Sequence, residues 1–184
     1  LTAQTTASDA TAVGYNALAT NTASANTAVG SGALQLNTSG TQNTAVGYNT
    51  LTTNLIGGSN TAIGYQALTL ATGSFNTAVG SDALASLSSG ANCTAVGTGA
   101  LALQTTASNA TAVGYFALAV NTATGSTAVG TGAMAANTTG SSNTAMGFSA
   151  LTTNTTFAFN SAFGNGALQN SNGGQANTAL GSNA

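Results

Sequence analysis

Few side chains in this sequence can do chemistry. Asp9 and Asp82 are the only acids, Cys93 the only thiol, and Tyr15, Tyr48, Tyr65 and Tyr115 the only phenols; Lys, Arg and His are absent from all 184 residues. Acid–base and nucleophilic catalysis need a base within hydrogen-bond reach of its partner, and no motif or spacing here supplies such a pair. One thiol and no histidine exclude a metal site built on His or Cys clusters. Without a cation, nothing neutralises a phosphate or engages an anionic bilayer surface. The Gly-x-Gly pairs Gly30/Gly32, Gly97/Gly99, Gly130/Gly132 and Gly164/Gly166 resemble phosphate loops, but no Lys-Ser/Thr follows them and they recur in step with a repeat. They read as turns. The expectation is a protein that is no enzyme, holds no cofactor or metal, and has neither nucleic acid nor an inserted membrane as partner. No apolar run approaches the roughly 18 residues that span a bilayer.

Disorder does not follow from the near absence of charge. Proline is absent, the formal net charge is −2, and the hydrophobic fraction is 42%, much of it alanine. Disordered linkers carry the opposite features.

The elements that must position these residues come from a repeat. Thr-Ala-Val-Gly or a close variant begins at Thr11, Thr27, Thr44, Thr61, Thr77, Thr94, Thr111, Thr127, Thr144, Ser161 and Thr178, spaced by 16 or 17 residues. A second echo runs at 100 residues, where Leu51-Thr52-Thr53-Asn54 returns as Leu151-Thr152-Thr153-Asn154. Helical repeats need longer units without Gly at every turn, whereas short strands fit. The full unit reads Asn-Thr-Ala-Val-Gly-x-x-Ala-Leu plus a polar return. It predicts one rung of an all-β solenoid (a β-roll), stacked at about 4.8 Å, with residues 1–184 forming one repetitive segment of a longer chain. Leu1 reads as the leucine of a further unit.

Stacking sorts side chains into columns. Alternation places Thr and Val on one strand face and Ala on the other. Val13, Val29, Val46, Ile63, Val79, Val96, Val113 and Val129 are expected to form one core ladder, continued by Met146, Phe163 and Leu180. Leu18, Leu34, Leu51, Leu68, Leu84, Leu101, Leu118, Leu151 and Leu168, with Met134, are expected to form the other. Each buried member is worth about 1.5–3 kcal/mol. The Ala column would then point outward as a methyl stripe, suited to lateral contact between copies and most simply to a trimer, with a fit to a tight solenoid corner as the alternative.

Asn-Thr-Ala-Ile-Gly-Tyr-Gln-Ala-Leu, from Asn60 to Leu68, resembles the repeats of phage tail-fibre and bacterial surface-fibre proteins. It also resembles the β-roll heads of trimeric autotransporter adhesins, whose unit is two or three residues shorter. The resemblance covers the whole chain. It implies a homotrimeric fibre shaft or head, displayed outside the cell or on a virion, that contacts a host surface.

Surface readings follow. Tyr15, Tyr48, Tyr65 and Tyr115, with Phe148, follow the Gly turn and read either as an aromatic column for a host glycan, a receptor or another chain, or as a cover over the rod's edge. The column of Asn26, Asn43, Asn60, Asn76, Asn143, Asn160 and Asn177 reads as a stacked amide ladder, with carbohydrate binding as the alternative. Cys93 substitutes in that column, with an interchain disulfide as its other reading. The Thr column suggests ice binding. Glycosylation sequons fall at Asn37, Asn92, Asn109, Asn137 and Asn154. Together these features predict an extracellular structural or adhesive fibre, with a self-assembling filament and an ice-binding solenoid as alternatives.

Overall fold

A computed structural model describes residues 8–171 and 173–184. Leu1 lies outside the described residues. The strands are β1 (Thr11–Val13), β2 (Thr27–Val29), β3 (Thr44–Val46), β4 (Thr61–Ile63), β5 (Thr77–Val79), β6 (Thr94–Val96), β7 (Thr111–Val113), β8 (Thr127–Val129), β9 (Thr144–Met146), β10 (Ser161–Phe163) and β11 (Thr178–Leu180). They form one 11-stranded sheet in chain order. Every pair is parallel, with Thr beside Thr (Ser161 at β10) and Ala beside Ala. The all-β solenoid expected from the repeat is therefore the fold.

Each strand stops after three residues because glycine follows it in a backbone conformation closed to other residues. Gly97, for example, has φ +126°, and a Cβ placed there would lie 2.6 Å from the Gly114 carbonyl oxygen of the next rung. The missing side chain thus both turns the chain and lets successive rungs close. A second corner sits at the leucine column. Leu68 has φ +52° and Leu101 φ +53°, in the left-handed region, which is strained for an L-residue by about 1–2 kcal/mol. Complete burial of the leucine offsets that strain. The position holds Leu or Met in every described rung and never a β-branched residue, which this conformation crowds most.

The leucine column lies inside as expected: Leu18, Leu34, Leu51, Leu68, Leu84, Leu101, Leu118, Met134 and Leu151 are fully buried, and Leu168 is half-buried. The other expected core ladder is reversed. The strand alanines from Ala28 to Ala162 are inaccessible to solvent, whereas Val13, Ile63, Val96 and Val113 are exposed and Val29, Val46, Val79 and Val129 are half-buried. Met146, Phe163 and Leu180 also face outward. The physical reason is volume. A coil of 16–17 residues encloses little space, and the leucines, a second alanine column (Ala17, Ala33, Ala67 and successors) and buried asparagines already fill it. A methyl fits on the remaining wall and an isopropyl does not. The Ala stripe is therefore not a surface, and the lateral contact reasoned from it loses its basis.

The rungs of 16 and 17 residues differ at one corner. Asn21 Nδ2 donates to the carbonyl of Ala23, two residues on, whereas Asn37 Nδ2 donates to that of Gly40, three residues on. The shorter rung omits a residue there and keeps the same bond.

Candidate functional surface

Inside the coil, polar groups hold the rungs together. The column containing Asn43 and Asn60 is buried and clamps each rung to the next. Asn60 Nδ2 donates to the Gly73 carbonyl at 2.9 Å, and Asn60 Oδ1 accepts the Asn76 N–H at 2.9 Å. Asn26, Asn43 and Asn76 repeat the pattern, and Asn143 does so toward Phe157 and Asn160. Through these rungs it is a side-chain-to-backbone clamp rather than the expected amide-on-amide ladder; only at the end of the column does Asn177 Nδ2 donate to Asn160 Oδ1, at 3.0 Å. Burial also removes the carbohydrate-binding reading for Asn26, Asn43, Asn60, Asn76, Asn143 and Asn160, leaving only Asn177 partly exposed.

The amide ladder lies in a second column, which the sequence signals as Leu-x-x-Asn. Asn37 Nδ2 donates to Asn21 Oδ1 at 2.6 Å, and Asn54 Nδ2 to Asn37 Oδ1 at 3.1 Å. A second run links Gln104, Asn121, Asn137 and Asn154. Ala71 follows Asn54 in this column and Ser171 follows Asn154. Among the described residues, Asn54 Oδ1 and Asn154 Oδ1 are left buried without a partner. Among the sequons, Asn37, Asn137 and Asn154 are spent in this ladder, and only Asn92 and Asn109 reach solvent.

Cys93 replaces the clamp asparagine and is fully buried. Its N–H donates to Asn76 Oδ1, and Gln104 Nε2 donates to its sulfur at 3.0 Å. Burial pushes the thiol pKa above its ordinary value of 9.0, against hydrogen bonds that lower it. Enclosure also removes the interchain-disulfide reading. Asp82 accepts the Ser81 hydroxyl at 2.9 Å, and among the described residues no three His, Cys, Asp or Glu side chains gather into a metal site. The Gly-x-Gly amides are committed to neighbouring rungs: Gly97 N–H donates to Val79 and Gly99 N–H to Ser81. They are turns and offer no cradle for a phosphate.

Two outward columns remain. The aromatic one is exposed, from 51% at Tyr48 and Tyr65 to 77% at Tyr15, with Tyr115 and Phe148 between. Tyr48 and Tyr65 stack at 5.6 Å with planes 10° apart, and Tyr115 meets Phe116 edge-on at 4.5 Å. Ser31, Ser81, Thr98 and Thr131 occupy the rungs between, so the rings stand above a floor of small residues. The other outward surface is the sheet face itself, where each strand presents Thr and Val, or their equivalents, side by side. Both columns are uncharged.

Comparison of the chain with protein-family models, with curated proteins and with solved structures finds no match.

Proposed function

We propose that this chain is part of a non-enzymatic, extracellular structural fibre that attaches to surfaces through its aromatic column. The observation that carries the reading is the unbroken register of eleven strands, which turns each exposed residue type into a linear array. A stiff array multiplies weak contacts, so modest affinity per ring sums to firm attachment. Exposed tyrosines suit both available partners. They stack on the apolar faces of sugar rings, and they are enriched at protein interfaces, where a large rigid ring and a hydroxyl act together. The partners are thus a host-surface glycan or receptor and other copies of the chain, as a homotrimer or filament. Phenol, hydroxyl and amide groups without a cation or paired acids supply recognition rather than turnover.

The test pairs Tyr48→Ser with Tyr65→Ser in the full chain. Sedimentation is expected to show an oligomer for the wild-type protein, and glycan-array or cell-surface binding is expected to weaken in the double variant. A wild-type monomer refutes the self-association. Binding that is absent, or unchanged by the double variant, refutes attachment through the aromatic column.

A further inference from the structure

The sheet face carries a second array that the fibre reading does not use. On the return side of the coil several threonine hydroxyls are consumed by carbonyls of the next rung: Thr38 donates to Leu55, Thr72 to Ser88, Thr138 to Thr155 and Thr153 to Gln169. None of the strand threonines is held in this way. Thr11 is exposed, Thr27, Thr44, Thr61, Thr77, Thr94, Thr111 and Thr127 are partly exposed, and their hydroxyls have no partner within the described residues. The strand carbonyls and amides that could have taken them are engaged in the parallel ladder. The result is a row of free hydroxyls, one per rung, each beside the branched side chain of Val or Ile.

We propose that the Thr–Val face of β1–β8 binds ice. Hydroxyl and methyl groups recur at about 4.8 Å from strand to strand and at about 6.7 Å from Thr to Val along a strand. Both repeats lie close to those of the oxygen rows on the faces of hexagonal ice. The parallel ladder fixes the backbone, and branching at Cβ restricts χ1 for both residue types, so little side-chain entropy is lost when water orders against them. No charge interrupts the face, since Asp9 and Asp82 lie outside the strands. Water held by one rung binds weakly, and eight rungs in register bind a lattice together. From β9 onward Met146, Phe163 and Leu180 replace the branched residues, which ends the regular array.

The alternative occupant is a second copy of this chain. A strip about 38 Å long and 7–10 Å wide offers about 300–400 Å² per partner, against about 800 Å² in a standard stable interface. A solid water lattice requires flatness and register rather than area, and those are what this face has.

The test uses the full chain and its variants in nanolitre osmometry with crystal imaging. The wild-type protein is expected to shape ice crystals and to show thermal hysteresis. Thr77→Lys and Thr94→Lys, at the centre of the face, are expected to abolish both, whereas Thr106→Lys, exposed on another side of the coil, leaves both intact. Thr77→Val and Thr94→Val keep the branched shape and the fold while removing the hydroxyl, and are expected to reduce the hysteresis. Unshaped crystals from the wild-type protein overturn the proposal. So does full activity in the central lysine or valine variants, or an oligomer that dissociates on Thr94→Lys, which would make this face an interface between copies.

Discussion

Replacing Asn60 by alanine tests the clamp that joins one rung to the next. The side chain is fully buried and holds two groups that have no other partner among the described residues, the Gly73 carbonyl and the Asn76 N–H, each at 2.9 Å. Leaving a buried donor or acceptor unsatisfied costs about 1–3 kcal/mol, so the two together predict a loss of about 2–6 kcal/mol. That is a large part of the 5–15 kcal/mol that holds a typical domain together. A solenoid is nearly one-dimensional, so the damage concentrates between β4 and β5 and the chain is expected to unfold in two steps instead of one. Urea titration followed by circular dichroism reads both the midpoint and the number of transitions. Ser59→Ala, which removes only an exposed hydroxyl contact with Gln42, serves as the control and should stay within about 0.5 kcal/mol of wild type. If Asn60→Ala shifts stability no more than that control, the buried asparagines are not what couples the rungs.

Three further outcomes follow. Ala95→Val adds two methyl groups to a position with no accessible surface and should destabilise by about 1–3 kcal/mol in thermal melts, whereas Val96→Thr on the outward face should be neutral within about 0.5 kcal/mol. Gly97→Ala meets both a left-handed backbone and the Gly114 carbonyl and should yield insoluble or unfolded protein on expression; Gly173→Ala, with nothing within 4 Å, should express like wild type. Cys93 should resist thiol reagents until denaturant is added. Because its folded pKa is raised, the folded state holds its proton longer than the unfolded state does. Stability should therefore fall as pH rises through and beyond about 9.0, a trend measured by urea midpoints and reduced in Cys93→Ser.

Much of this architecture is legible in the sequence because stacking repeats a local pattern. The 16–17-residue interval fixes which residues lie above one another, Gly after each Thr-Ala-Val ends the strand, and the tyrosines fall in one column before any coordinate is known. The missing histidine and cations likewise exclude whole classes of chemistry without a fold. Alternation also says that Thr and Val share a side and Ala takes the other, but period two is symmetric and does not say which side is inward. That choice belongs to the closed coil, where leucines entering from a left-handed corner leave room for a methyl alone. Val13 to Val129 therefore stand outside. The same closure decided that Asn60 binds backbone across rungs, that Asn21, Asn37 and Asn54 bind one another, and that the strand threonines keep their hydroxyls free. Each of those facts depends on atoms brought together from a rung away, and only the completed turn sets the volume and the partners they find.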